Sequence, residues 1–168
     1  MVNFDKAENI ASEVLRENFI SKPPVPVFEL TKNYGYEVIE AELPSNVAGL
    51  VDIKKNIIFI NKADTDTRKA FTVAHELGHI KLHSSELEKN PELGILYRRP
   101  LGEKDSDVKE QEANFFAASL LVPEIMYEEV LKQYKDVLPE NKIELLSTLF
   151  GVSQEVLGYR LHHFELNK

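Results

Sequence analysis

The chain has 168 residues, 43% of them hydrophobic and 29% charged, the proportions of a soluble globular protein with enough apolar material for a core. Its formal charge of −8 argues against non-specific binding to nucleic acid or anionic membrane, which needs clustered lysine and arginine. It has no cysteine, so disulfides and thiolate ligands are excluded, and any metal must be held by histidine and carboxylate.

The N-terminal stretch MVNFDKAENIASEVLREN carries charge throughout and has no apolar core, so it does not read as a signal peptide, and a cytoplasmic protein is expected. Apolar residues at 7, 10, 11, 14, 15 and 19 follow a helical period, with Asp5 as the expected N-cap. Pro23, Pro24 and Pro26 break that helix, and a short one follows from Val27 to Tyr34, stopped by Gly35. Residues 36–40 alternate as a strand. Residues 49–53 and 57–61, joined by Lys54-Lys55-Asn56, read as a β-hairpin. Asp64-Thr65-Asp66 is rich in capping residues, and a helix is predicted from Thr67 to about Leu82. Residues 84–107, with two prolines and two glycines, are predicted to be mostly loop. Helices are then predicted over Val108–Leu121 and Pro123–Tyr134, and two short ones over 143–164 flank Gly151-Val152-Ser153. The expected fold class is α+β, one domain over 1–168, with helices packed on one face of a small, mostly antiparallel sheet.

The helix predicted from Thr67 contains His75-Glu76-Leu77-Gly78-His79, an H-E-x-x-H pattern. Residues four apart on a helix lie about one turn, or ~6 Å, apart on the same face, so both imidazoles can reach one ion. Zn²⁺ accepts such nitrogens at ~2.0–2.1 Å. Glu76, beside the first histidine, is placed to take a proton from water activated there. A third protein ligand must come from elsewhere.

The 108–121 helix is the best source. Ala113, Ala117 and Leu120 form a stripe that permits close helix approach. Glu110 and Asn114 lie on the same side as that stripe. Glu112 points ~100° away, toward solvent or the edge of the site. Glu110 is therefore the expected ligand, with Asn114 placed to hydrogen-bond a ligand imidazole. His83 is a rival, but on a straight helix it lies ~12 Å along the axis from His75, too far for one tetrahedral ion.

With both helices in view, the chain resembles the ImmA/IrrE family of metallo-endopeptidases. The resemblance rests on Arg68-Lys69-Ala70-Phe71-Thr72-Val73-Ala74-His75-Glu76-Leu77-Gly78-His79 and on the run from Glu110 through Pro123. The strand end Ile58-Phe59-Ile60-Asn61 and the C-terminal Leu149-Phe150-Gly151-Val152-Ser153 with Arg160-Leu161 are also similar. The resemblance implies a zincin-like, thermolysin-like helical core and a zinc-dependent peptidase. The typical substrate would be a helix-turn-helix repressor of a mobile element or stress regulon. By position it makes His75, His79 and Glu110 the metal ligands, with Glu112 in the same motif, and Glu76 the acid/base.

Zn²⁺ is the expected metal, with Mn²⁺ the other ion considered. Tyr97, Arg98, Arg99, His83 and His162 are the candidates for stabilising an oxyanion. Residues 140–168 also read as a helix-turn-helix-like pair, but positive residues in its Leu146-to-Leu166 part and just beyond are few, Arg160, Lys168 and two histidines, so direct DNA binding is not expected. A second reading is a metal-dependent sensor or anti-repressor that sequesters its regulator without efficient proteolysis.

Overall fold

The computed structural model describes residues 2–89, 95–97, 107–135 and 142–166. In chain order these form α1 (Phe4–Glu17), α2 (Val27–Asn33), β1 (Glu37–Ala41), β2 (Val47–Asp52), β3 (Ile57–Asn61) and α3 (Asp66–Leu87). There follow β4 (Ile95–Tyr97), α4 (Val108–Leu121), α5 (Glu124–Gln133), α6 (Ile143–Phe150) and α7 (Gln154–Leu166). The architecture is α+β, as the patterning implied.

The N-terminal helix begins earlier than expected. Asn3 is the N-cap and its side chain accepts the Lys6 N–H at 2.9 Å, while Asp5 sits in the first turn, where a carboxylate favours the helix dipole. Phe19 lies beyond the helix, in a left-handed conformation and almost fully exposed, so it is not part of the apolar stripe.

The sheet runs β1-β3-β2-β4. The hairpin pairs β2 with β3 antiparallel, Val51 opposite Ile58, and turns through Asn56 at φ 55°, a left-handed value that asparagine tolerates. β1 lies on the far side of β3 and runs parallel to it, Val38 beside Ile58. The sheet is thus mostly antiparallel with one parallel edge. β4 pairs antiparallel with β2 inside a stretch expected to be loop. Three residues between proline- and glycine-bearing flanks are too few to show a period in sequence.

Where β3 ends, Asn61 is buried and ties the crossing together. Its amide donates to the Val47 carbonyl at 2.9 Å and to Leu43 at 3.2 Å, and its oxygen accepts the Ala63 N–H at 3.0 Å. The chain then enters α3, whose first turn is capped by the Thr65 hydroxyl accepting the Arg68 N–H at 3.4 Å. The helix kinks at His83, whose backbone is non-helical at φ −133° and ψ 15°, close to the predicted end at Leu82. Asp107 caps α4 by accepting the Lys109 N–H.

α3 and α4 pack closely because small residues face each other. Gly78 permits this: a Cβ there would come within 2.9 Å of the Phe116 ring and 3.3 Å of Ala113. Ala113, Ala117 and Leu120 are all fully buried, as the expected stripe requires. The apolar core extends from Ala7 and Ala11 of α1 through Ile58 and Ile60 of the sheet and Leu77 of α3 to Phe150 and Leu157 of the last two helices.

The C-terminal pair α6–α7 turns at Gly151, left-handed at φ 66°, as expected. Arg160, counted in sequence as a possible surface cation, is completely buried. It donates to Glu8 at 2.6 Å and to the Val122 carbonyl at 3.1 Å, and its guanidinium lies 4.5 Å from the Phe164 ring centroid. It anchors α7 to α1 and the end of α4, and it is withdrawn from any DNA-facing role. Lys168 lies outside the described residues.

Candidate metal centre

The α3–α4 interface brings His75, His79 and Glu110 together. One ligand atom from each lies within 4.8 Å of the others, and this is the one group of three or more such residues among the described residues. His75 Nε2 and His79 Nε2 are 2.9 Å apart, and Glu110 approaches them at 3.4 and 3.0 Å respectively. A tetrahedral ion with bonds of ~2.0–2.2 Å has ligand atoms ~3.3–3.5 Å apart. The two imidazoles and the carboxylate therefore fit Zn²⁺ after a relaxation of a few tenths of an ångström. The donors, two nitrogens and one oxygen with no sulfur, are those of a His₂Glu catalytic site.

Asn114 sits one turn after Glu110, and its Oδ1 lies 2.9 Å from His75 Nδ1. A carbonyl oxygen accepts, so Nδ1 carries the proton and Nε2 turns its lone pair toward the cluster. Burial lowers the pKa of His79, and the neighbouring His75 adds to this while Glu110 opposes it. A neutral imidazole is the form that ligates a metal. Burial would raise the Glu110 carboxyl, but hydrogen bonds and charge from His75 and His79 outweigh it and hold the group well below the usual carboxylate range. It stays an anion at neutral pH.

Glu76 is fully buried next to this cluster, and neither of its carboxylate oxygens has a hydrogen-bond partner among the described residues. Burial, with Glu110 adding repulsion, raises its pKa well above the ordinary value. It faces β2 at Gly49, where a Cβ would meet the Phe59 carbonyl at 2.8 Å and approach Glu76 Oε1 at 3.7 Å. Gly49 thus lets the sheet close over the carboxylate. Sequence reading missed this role, because only the tertiary contact distinguishes Gly49 from an ordinary strand glycine.

Glu112 and His83 form a separate pair. His83 Nε2 is 3.5 Å from Glu112 Oε2, and Glu112 Oε1 accepts the backbone N–H of Asn3 at 2.8 Å. Glu112 is therefore buried rather than solvent-facing. The helical wheel placed it correctly off the α3-facing stripe, but α1 covers that second side of α4. Neither residue joins the three-ligand cluster. Of the other candidates, His162 is exposed on α7, Tyr97 has its backbone in β4, and Arg98 and Arg99 lie outside the described residues.

The chain matches the peptidase M78 family, described as the IrrE N-terminal-like domain, over residues 31–162. It belongs to that family. The matched span contains the sheet, both site helices and His75, Glu76, His79 and Glu110. A relative, the radiation response metalloprotease IrrE of Deinococcus radiodurans, is 36% identical over 87 residues, covering 51% of this chain and 25% of that protein. The match thus spans about a quarter of that relative's length. A solved structure, a Mycobacterium tuberculosis transcriptional regulator, superposes with a TM-score of 0.64 over 94% of this chain and 46% of the other. At 19% identity that likeness is one of fold. No helix among the described residues is long and apolar enough to cross a membrane.

Proposed function

We propose that this IrrE-like chain is a cytoplasmic, zinc-dependent endopeptidase whose substrate is a helix-turn-helix transcriptional repressor of a mobile element or stress regulon. The observation that carries the peptidase part is the convergence of His75, His79 and Glu110 beside a buried Glu76 on the next position of the same helix. Family membership and the metalloprotease relative support it. The regulatory substrate is supported by the family resemblance and by a relative named as a radiation response metalloprotease.

Zn²⁺ held by the three ligands would supply a Lewis acid that polarises the scissile carbonyl and lowers the pKa of water. Glu76 takes the proton from the attacking water and delivers it to the leaving amine. Its place on the helix position next to His75 puts its carboxylate beside the ligand cluster, where both transfers would occur. Asn114 keeps His75 in the tautomer that offers Nε2. Gly49 and Gly78 let the sheet and α4 pack closely against the residues beside the site.

The test is incubation of the protein with the repressor encoded beside it, with and without chelator, followed by mass spectrometry of the products. Discrete fragments that vanish with chelator and with Glu76→Gln support the peptidase. A Glu76→Gln protein that relieves repression as well as wild type would instead support the sequestering sensor.

A further inference from the structure

The regular part of α3, from Asp66 to the kink at His83, carries a cation in line with the two ligand histidines. Arg68 precedes His75 by seven residues, ~10 Å along the axis and within ~20° of two full turns, so it shares their face as well as their helix. Neighbouring elements mark that face out. On one side of the line, Gly78 packs against Phe116 and Ala113 of α4. On the other, Thr72 and Glu76 stand opposite Gly49 of β2, and Lys69 pairs with Glu40 of β1 at 2.9 Å. Arg68, His75 and His79 occupy the angle between, where the metal ligands converge.

Local structure does not account for the Arg68 side chain. Arg68 is the third residue of α3, and a cation in the first turn opposes the helix dipole. Its backbone serves the turn: the N–H donates to the Thr65 hydroxyl and the carbonyl accepts from the Thr72 hydroxyl. Its Nε, by contrast, is completely buried without a hydrogen-bond partner. Among the described residues no hydrogen bond or ion pair joins the guanidinium to a carboxylate, the preceding Asp64 and Asp66 included. The side chain as a whole is only half-buried, so it can be reached from solvent. A guanidinium keeps its charge, and its planar fork of donors matches a carboxylate through two parallel hydrogen bonds. A sealed donor with nothing to donate to is completed by an acceptor that arrives from outside. Side chains on a helix lean toward its N-terminus, which sets the guanidinium ~10–15 Å from the ligand histidines, the span of three or four residues of extended chain. We propose that Arg68 is a specificity-determining residue of the metal centre, a role that rests on the peptidase reading. It binds a carboxylate of the protein substrate, from an Asp or Glu side chain or a chain terminus, three or four residues from the scissile bond.

Peptide hydroxamates on the zinc-loaded protein test this without cleavage, because the hydroxamate chelates the metal and fixes the register of the chain attached to it. Two series, with the hydroxamate at the C-terminus or at the N-terminus, place one glutamate or glutamine at one to six residues' distance in a chain of alanine and serine. The N-terminal series also includes glutamine peptides that end at each length as the free acid or the amide. Affinities are read by competition with a fluorescent hydroxamate. In one of the series a carboxylate at a spacing of three or four should tighten binding at least about tenfold over its neutral twin, and less than about twofold at one or six. A gain with glutamate assigns the site to an acidic side chain, and a gain confined to the free acid assigns it to a chain terminus. Arg68→Gln should erase the gain, and Arg68→Lys, which keeps the charge but not the fork, should keep part of it. Lys132→Gln, at an exposed cation on α5, should leave it unchanged. The Nε–H NMR signal of Arg68 in the wild type should shift with the carboxylate peptide and not with its neutral twin, a readout that needs no variant. No gain from either carboxylate at any spacing, or a gain that survives Arg68→Gln, overturns the proposal, while zinc-dependent hydroxamate binding leaves the metal centre standing. If no hydroxamate binds in a zinc-dependent way, the metal centre fails and the role of Arg68 with it.

Discussion

Replacing Glu76 by glutamine should stabilise the metal-free protein while removing its activity. Both carboxylate oxygens are buried without hydrogen-bond partners among the described residues, and burial followed by the charge of Glu110 raises the pKa well above 4.5. In the unfolded chain this carboxyl ionises near its ordinary value, whereas the fold retains its proton to higher pH. The unfolded state therefore binds fewer protons above pH 4.5, and stability falls as pH rises until the folded pKa is passed. Each pH unit crossed costs ~1.4 kcal/mol, so the loss at pH 7 is bounded at about 3 kcal/mol. Glutamine keeps the shape and has no proton to lose. The variant should thus exceed chelator-treated wild type by up to about 3 kcal/mol at pH 7, or ~6–12 °C in Tm for a chain of this size, and the gap should close toward pH 4.5. Thermal and urea unfolding across about pH 5 to 8 measures it. A gap that is constant with pH, or that widens on acidification, would refute the reasoning. With metal restored, the variant should bind it normally and cleave ~10²–10⁴-fold more slowly.

Glu110→Gln should abolish stoichiometric zinc binding, whereas Glu112→Gln should retain it and loosen only the N-terminal segment tied through Asn3; metal analysis and hydrogen exchange at residues 3–6 separate the two. Asn114→Ala should weaken zinc affinity by ~10–100-fold with little change in fold, read by competition with a chromophoric chelator. Arg160→Ala leaves the Val122 carbonyl and Glu8 without their donor and opens a gap between two aromatic rings, so it should lower stability by about 3 kcal/mol in urea titration.

Much of the site was legible because its geometry is local. His75 and His79 lie on one helix, and the helical repeat alone puts both rings on one face. Glu110 and Asn114 were reached by a longer inference, from small residues that imply a close helix contact, and both side chains lie beside His75, at 3.4 and 2.9 Å. His83 was set aside on axial distance, and its ring indeed pairs with Glu112 instead of joining the cluster. Glu112 lies off the α3-facing stripe as expected, but it is covered by α1 rather than open to solvent: one helix's periodicity describes angles around its own axis and says nothing of how many neighbours cover it. β4 and the parallel pairing of β1 were also out of reach, the first for lack of length, the second because strand order depends on which edges remain open after the hairpin forms.

The chain by itself determined most of the helices and the placing of His75, Glu76 and His79 one turn apart on a single helix, since these follow from residue type and spacing along single elements. Only the tertiary structure decided what stands behind them. Gly49 and Gly78 became close-approach positions and Arg160 became a buried anchor, because each of these roles depends on what a distant segment places opposite the residue.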